Sequence, residues 1–360
     1  MVSDLQGLLQ HLVEHGGSDL HVKAGSRPHI RIDGKLHPTP FDPVPPPDIE
    51  RMAMEILPAA RKAEFAETSE ADFALGISGM GRFRINVYRQ RGTVGIALRR
   101  VVSTAATLDA LGLPTTVERL AEEPRGLVLV TGPTSSGKTT TVAAMVNHIN
   151  EARVANIVTI EDPIEVLHAD KRSIVSQREI GTDTSSYDEA MRRVLRQDPD
   201  VIFIDELRDA ATAQAAIAAA EAERLVISTM RTNSAAETIT RIIEMYDPFQ
   251  QKQARMQLAS ALKGIVSQRL LERADGKGRI PALETLVMTG RIYEQISEPE
   301  ITGGTIERTI AEGEYYGMQT LDQSLLQLAR DGLVSLRDVM AVANDPTDLR
   351  IALQTSGVPV

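Results

Sequence analysis

The most constraining feature of the chain is a glycine-rich octapeptide between an apolar run and a helical pattern. The run, residues 126–131, predicts a buried strand, and residues 138–150 predict a helix. A strand that turns into a helix in this way directs backbone N–H groups and a helix N-terminus at one point, which suits a phosphate group. The octapeptide is Gly132, Pro133, Thr134, Ser135, Ser136, Gly137, Lys138 and Thr139. It matches the P-loop pattern and predicts a nucleoside triphosphate site.

The octapeptide and the residue after it carry the side chains that a triphosphate requires. Lys138 is expected to reach the β- and γ-phosphates, and the Thr139 hydroxyl is expected to bind Mg²⁺. Thr140 completes the predicted nucleotide-binding set. The alternative interpretation is a strand-to-helix turn without a ligand.

A second apolar run ends in two acids. Residues 201–204 lead into Asp205 and Glu206, which has the form of a Walker B segment. If this strand lies next to the P-loop strand, its carboxylates hold Mg²⁺ or a water molecule. Alternatively, the two residues are strand-end acids that cap the helix after Asp209.

A third predicted strand, residues 156–160, is followed by Glu161. The next residues, Asp162, Pro163 and Glu165, form a favourable helix start, which would account for them without any chemistry. Glu161 is not explained in that way. A carboxylate here would orient the water that attacks the γ-phosphate, because phosphoryl transfer depends mainly on positioning.

Arginine is concentrated in one N-terminal stretch of an acidic chain. The stretch contains Arg82, Arg84, Arg89, Arg91, Arg99 and Arg100. These residues form either the solvated face of a strand or a set of arginine fingers for a neighbouring subunit's γ-phosphate. Arg224 and Arg231 flank a fourth predicted strand. They would act on phosphate in the same chain or be ordinary surface residues.

The N-terminal part, residues 1–100, reads as a small α/β domain. It has helical patterns over residues 3–15 and near 48–65, and short strands on both sides of an Asp33-Gly34 turn. Residues 82–88 alternate between apolar and polar, with Phe83, Ile85 and Val87 predicted to face the core. Residues 101–114 read as a linker.

The C-terminal part, residues 115–360, alternates between strands and helices. That order predicts a mainly parallel sheet covered by helices. Beyond residue 250 the sequence predicts a largely helical tail, with a capping box from Thr320 to Gln323. The predicted strands cover residues 126–131, 156–160, 201–205 and 225–230.

Composition excludes several classes of function. The formal net charge of −10 argues against a nucleic-acid partner, and the absence of cysteine excludes disulfides and thiolate zinc sites. No apolar stretch approaches the ~18 residues that a membrane span needs, and the start lacks a signal peptide pattern. A cytoplasmic protein without a membrane span is expected.

These segments together resemble the secretion ATPase superfamily, and more narrowly the PilT-like retraction ATPases of type IV pili. The similarity extends to Ser18–His21, Ile32–Gly34, Asp198–Ile202, Leu207–Asp209, Thr229, Thr232–Ala235, Ala274–Gly276 and Tyr316–Gln323. It implies a homo-hexameric ring of Per-ARNT-Sim-like N-domains and RecA-like C-domains with ATP between subunits. It also implies that Glu161 lies in the family's Asp box and Glu206 in Walker B. In such a ring Arg82, Arg84 and Arg99 are candidates for contacts across a subunit boundary.

The chain departs from the family pattern at several positions. Arg224 and Arg231 replace the two His-box histidines, Asp205 replaces the glycine before the Walker B glutamate, and Ser135 replaces a common P-loop glycine. Arg231 is therefore expected to be either a γ-phosphate sensor or a salt-bridge partner of an acid such as Asp205. Of the helical motif linked to retraction, the chain keeps Ile292, Ile296 and Glu298.

The resemblance predicts a Mg²⁺-dependent ATPase motor that retracts type IV pili and supports twitching motility. It would work at the cytoplasmic face of the inner membrane with a pilus platform protein, and a paralogous pilus ATPase is a second candidate partner. One alternative is a pilus extension or type II secretion motor, against which the lack of a four-cysteine zinc element argues. Another is a ring subunit that binds nucleotide but is weakly catalytic and regulatory.

Overall fold

The computed structural model describes residues 5–32, 34–101, 105–297 and 303–356, without the side chains of 303–305. Two compact units are formed, one from Met1–Ser103 with Glu165–Leu167 and one from Thr104–Ile164 with His168–Val360. Asp33 of the predicted turn, residues 102–104 of the predicted linker and Glu298 of the quoted motif lie outside the described residues.

The first unit is an antiparallel six-stranded sheet with three helices, in the strand order β3-β2-β1-β6-β5-β4. Its core contains Phe83, Ile85 and Val87, as the alternation over residues 82–88 predicts. The strands are β1 (Asp19–Lys23), β2 (His29–Ile32), β3 (Lys35–Pro38), β4 (Glu70–Ile77), β5 (Gly81–Gln90) and β6 (Thr93–Arg100). The helices are α1 (Leu5–Glu14), α2 (Pro46–Ile56) and α3 (Ala59–Thr68).

The single helix predicted near residues 48–65 is wrong, because the structure has two helices there. Leu57 is extended, and Pro58 precedes α3. Proline lacks an N–H and disfavours the helical conformation of the residue before it, so the chain breaks at this point.

The second unit is built on a seven-stranded sheet in the order β13-β12-β7-β11-β10-β8-β9. All neighbouring pairs are parallel except the antiparallel pair of β12 and β13. The strands are β7 (Gly126–Thr131), β8 (Asn156–Glu161), β9 (Ile174–Glu179), β10 (Val201–Ile204), β11 (Leu225–Met230), β12 (Leu262–Glu272) and β13 (Arg279–Val287). The four predicted strands are thereby present as β7, β8, β10 and β11.

Helices cover both faces of this sheet. In β7, Leu127 and Leu129 pack on one side while Val128 and Val130 pack on the other, which makes the P-loop strand fully buried. The helices are α4 (Thr115–Ala121), α5 (Lys138–Ala152), α6 (Tyr187–Val194), α7 (Ala210–Glu221), α8 (Ala235–Glu244), α9 (Gln251–Ala261), α10 (Gly290–Ser297), α11 (Gly303–Ala311), α12 (Leu321–Arg330), α13 (Leu336–Val342) and α14 (Pro346–Thr355). The predicted capping box of Thr320 and Gln323 is present at the start of α12.

The tail beyond residue 250 contains the helices α9 to α14, as the helical prediction has it, but residues 262–287 contribute two long strands that the prediction missed. Helix α9 ends at Ala261, and Leu262 turns into an extended conformation. At Gly264 a Cβ would lie 2.6 Å from Leu120 Cδ2 and 2.8 Å from Leu286 O, so β12 packs where only glycine fits. Across the described residues, no helix combines the length and apolar character required to cross a bilayer.

Candidate functional site

The P-loop links the carboxyl end of β7 to the start of α5, and two of its glycines are sterically required. Gly132 and Gly137 have φ values of 144° and 91°. A Cβ at Gly132 would lie 2.3 Å from Gln268 O, and one at Gly137 would lie 2.7 Å from Gln268 Nε2. The loop is therefore pressed against β12, with its backbone shaped as the sequence predicts.

Lys138 is folded over this loop. Its Nζ donates to the carbonyl oxygens of Gly132 and Pro133, each at 2.8 Å. Burial lowers the pKa of Lys138, the positive charge of Arg231 lowers it further, and the carboxylates of Glu206 and Asp205 oppose both effects. The charges of Arg231, Glu206 and Asp205, all predicted for this site, thus act on Lys138.

The remaining side chains of the loop differ in their exposure to solvent. Thr134, Ser135 and Thr140 are exposed, and Thr139 is half-buried in the first turn of α5. The Ser136 hydroxyl is buried and has no hydrogen-bond partner among the described residues. A buried hydroxyl without a partner next to a glycine-lined loop fits a phosphate, whose oxygen can accept a hydrogen bond from it.

The Walker B strand β10 is not the direct neighbour of the P-loop strand β7, so the condition stated for its acids is not met literally. Strand β11 lies between β7 and β10, in parallel register with both. Arg231, which follows β11, therefore lies between the P-loop and the acids at the end of β10. This position was not predictable, because strand order in the sheet does not follow chain order.

Glu206 is paired with two arginines. Arg231 Nε lies 2.8 Å from Glu206 Oε1, and its Nη2 donates to Oε2 at 3.1 Å, which makes a bidentate pair. Arg208 Nε donates to the same Oε2 at 3.1 Å. Arg231 is thus a salt-bridge partner, as one of the two expectations has it, but of Glu206 rather than of the suggested Asp205.

Asp205 has different neighbours. The Tyr187 hydroxyl lies 3.5 Å from Asp205 Oδ2, and burial together with the Asp205 charge raises the pKa of Tyr187. The Thr229 hydroxyl donates to the Asp205 carbonyl oxygen at 2.5 Å. The backbone of the Walker B segment is therefore fixed by β11.

Glu161 ends β8 as a buried carboxylate that is 5% exposed. Thr159 Oγ1 donates to Glu161 Oε1 at 2.6 Å, and Gln177 Nε2 donates to the same oxygen at 3.0 Å. The helix start proposed for Asp162, Pro163 and Glu165 is wrong, since no helix lies between β8 and β9. The Ile164 N–H, which a helix would use or leave to solvent, instead donates to Glu179 Oε2 at 3.1 Å.

Arg224 is not brought to the P-loop of its own chain. It precedes β11, whose Leu225 pairs with Gly126 at the amino end of β7, whereas Met230 pairs with Thr131 at the end that leads into the P-loop. Its guanidinium donates to Ala222 O at 3.1 Å. A phosphate contact of Arg224 within this chain is therefore excluded by its position at the opposite edge of the sheet.

The N-terminal arginines lie on β5 and β6 of the first unit. Arg99 Nε donates to the buried Asp19 at 2.7 Å, and Arg84 Nη2 lies 3.5 Å from Glu165 Oε1 within the same unit. Arg82 is partly buried on β5. A role for Arg82, Arg84 and Arg99 at a subunit boundary stays a prediction.

Sequence reasoning missed several residues of the site. Gln268 on β12 donates to Ser136 O at 2.7 Å and accepts from Thr141 Oγ1 at 2.8 Å. A cavity of 570 Å³ beside the P-loop is lined by residues that include Leu111, Thr140 and Arg279. The signal for Gln268 was a strand pattern hidden in a segment interpreted as helical.

Three features of the second unit occur together. The P-loop lies at the carboxyl edge of a parallel sheet, acids end β8 and follow β10 at the same edge, and one strand, β11, separates the P-loop strand from the Walker B strand. This arrangement defines a RecA-like P-loop ATPase domain. The chain belongs to the Type II/IV secretion system protein family, whose model matches residues 1–302. The predicted family, fold class and enzyme class are confirmed.

Relatives and solved structures narrow this class to the PilT-like ATPases of type IV pili. The type IV pilus retraction ATPase PilT of Pseudomonas aeruginosa is 37% identical, covering 95% of this chain and 99% of its own. The type IV pilus ATPase PilU of the same bacterium is 37% identical, with coverages of 98% and 91%. A crystal structure of the pilus retraction motor PilT with bound ADP has a TM-score of 0.88 at 40% identity, covering 97% of this chain and 99% of that chain. The ATPase DotB of Legionella pneumophila shares the fold, with a TM-score of 0.80 at 21% identity, covering 94% of each chain.

Proposed function

We propose that this protein is an ATP-hydrolysing motor that powers retraction of type IV pili. The observation that carries the proposal is the similarity to PilT over 95% of the chain. In addition, the P-loop and the acids that follow or end β10 and β8 lie at the carboxyl edge of one parallel sheet. Retraction relatives match better than assembly relatives, since the assembly ATPase PilB of P. aeruginosa is 34% identical over 74% of this chain.

The P-loop residues 132–139 and Thr140 would bind the phosphates of ATP, with Lys138 on the β- and γ-phosphates. The cavity beside the loop has room for the base and ribose. Thr139, Asp205 and Glu206 supply the oxygen ligands that Mg²⁺ prefers. Mg²⁺, when bound, neutralises charge on the β- and γ-phosphates. Glu161 would orient the attacking water and accept its proton.

We infer a homo-hexamer in which Arg82, Arg84 and Arg99 complete a neighbouring subunit's site. The partition into an N-domain (1–100), a linker (101–114) and an ATPase domain (115–360) belongs to this proposal. The partners would be a platform protein of the inner membrane and a paralogous pilus ATPase, with the ring on the cytoplasmic face of that membrane. No nucleic-acid partner is proposed, given the net charge of −10.

The second candidate is a weakly catalytic ring subunit that regulates a more active paralogue. The pairing of Glu206 with Arg231 and Arg208 favours it, because a carboxylate held by two guanidinium groups is less available to a metal or a water.

The experiment that tests the proposed activity is a steady-state ATPase assay on the purified protein with and without Mg²⁺. The wild type should release phosphate only with Mg²⁺, and Lys138→Ala should abolish nucleotide binding or turnover, because the loop loses its only side-chain charge on the phosphates. Lys252→Ala, on the exposed surface of α9, is the control. Wild-type turnover in Lys138→Ala would contradict the site, and a wild type that binds ATP without hydrolysing it would favour the regulatory subunit.

A further inference from the structure

Gln177 on β9 has a fixed amide that faces Glu161. In the parallel pairing of β8 with β9, Gln177 is opposite Thr159, two residues before Glu161. Gln177 Oε1 accepts from the His168 backbone N–H at 2.8 Å, while Nε2 donates to Glu161 Oε1 at 3.0 Å. Because the His168 N–H requires an acceptor, the amide cannot be reversed, and its NH₂ group must point to Glu161.

Two donors therefore converge on one oxygen of Glu161, since Thr159 Oγ1 also donates to Oε1 at 2.6 Å. A carboxylate that is 5% exposed is costly to ionise unless donors compensate for the lost water. Two donors on Oε1 stabilise the ionised form and fix the rotation of the group about its last bond. A base that aligns water requires both the charge and the fixed direction.

We propose that Gln177 is a positioning residue for hydrolysis, which holds Glu161 ionised and correctly rotated toward the attacking water. The inference rests on the proposed function, because it assigns Gln177 to the reaction that Glu161 would perform. Thr159 acts with Gln177 on the same oxygen. Neither side chain lies in the P-loop, so nucleotide binding does not depend on them.

The decisive variant is Gln177→Glu. It keeps the acceptor for the His168 N–H but replaces the donor to Glu161 with a second carboxylate 3.0 Å away. The structural bond to His168 is thereby preserved, while two carboxyl groups so close together share one proton, so Glu161 is no longer held fully ionised. Other charged groups near Glu161 are Glu179 on β9, Asp205 after β10, and Asp162 with its partner Arg208, and none of them is altered.

The expected result is a kcat about 10-fold or more below wild type with KM within about 3-fold, as part of the 10²–10⁴ that a positioned base contributes. The acid limb of the kcat–pH profile should move to higher pH, because a neighbouring negative charge disfavours ionisation of Glu161. Thr159→Val should change kcat in the same direction. Ser173→Ala, which removes a buried hydroxyl bond to Arg153 O just before β9, should leave kcat and the pH profile unchanged.

An unchanged kcat and pH profile in both Gln177→Glu and Thr159→Val, in a wild type that hydrolyses ATP, would overturn the role of Gln177 alone. If Gln177→Glu fails to fold, as judged by its melting temperature, Thr159→Val decides the question by itself. A wild type without ATPase activity would overturn the proposed function instead.

Discussion

Arg231 lies at one of the positions where the sequence departs from the family pattern, and the structure gives it a defined partner. A histidine there would titrate near neutral pH, whereas arginine stays charged at all working pH values. The structure pairs it with both oxygens of Glu206 and not with Asp205. Arg231 and Asp205, the two unusual residues, are therefore not direct partners. Both affect the pKa of Lys138, which Arg231 lowers and Asp205 raises.

A double-mutant cycle tests this pairing. Arg231→Ala and Glu206→Gln should be coupled in the free energy of unfolding by on the order of 0.5–1 kcal/mol, a value reduced by solvent because Arg231 is 64% exposed. The matched cycle of Arg231→Ala with Asp205→Asn should be additive within experimental error. Stronger coupling to Asp205 than to Glu206 would show that the observed pair is not the important one.

At the scale of elements, β12 determines the conformation of the P-loop. Gln268 bridges the Ser136 carbonyl and the Thr141 hydroxyl, and its own backbone oxygen occupies the space beside Gly132. A strand more than 100 residues away in sequence therefore shapes the phosphate cradle. Its antiparallel partner β13 is the edge strand on this side of the sheet.

Replacing Gln268 with alanine should weaken ADP binding by several-fold and lower the free energy of unfolding by about 1–3 kcal/mol, because two buried groups lose their partners. Titration with a fluorescent ADP analogue and denaturant unfolding measure the two effects. Gln319→Ala, which removes one side-chain bond to Leu283 O in the same unit, is the control and should leave ADP affinity unchanged. Equal ADP affinity in wild type and Gln268→Ala would mean that β12 only stabilises the fold.

Elements whose sequence signal lies within one short segment could be predicted, and contacts between distant segments could not. The strands β7, β8, β10 and β11 are short apolar runs bounded by turn residues, and the P-loop is a contiguous motif, so both were predicted. Strand β12 was missed because Leu258, Leu262 and Val266 continue a helical spacing past the end of α9. Its partner β13 lies in the same segment, which was interpreted as helical. The contacts of Glu161 with Gln177 and of Glu206 with Arg231 were missed because each joins two different strands, and single-chain patterns do not specify strand order.

At the scale of the whole molecule, the proposed ring requires residues from two subunits at each ATP. Arg84 is the candidate to be tested across the boundary. Mixtures of an Arg84→Ala chain and a Lys138→Ala chain should recover ATPase activity, because some interfaces then combine an intact P-loop with an intact arginine. Arg91→Ala, in an exposed turn of the same unit, replaces Arg84→Ala in the control mixture. A mixture as inactive as its two parents would count against a role of Arg84 in the neighbouring site.

The central claim is that ATP hydrolysis by this protein retracts pili. Its most direct test is to introduce Glu161→Gln into the chromosomal gene of the organism that encodes this protein and to follow pilus retraction by microscopy of labelled pili. Retraction events should be lost although the variant still binds ATP with Mg²⁺, because turnover falls by about 10²-fold or more without the base. Glu151→Gln, at an exposed carboxylate near the end of α5, should retract pili as the wild type does. Normal retraction by Glu161→Gln at wild-type protein levels would contradict the account.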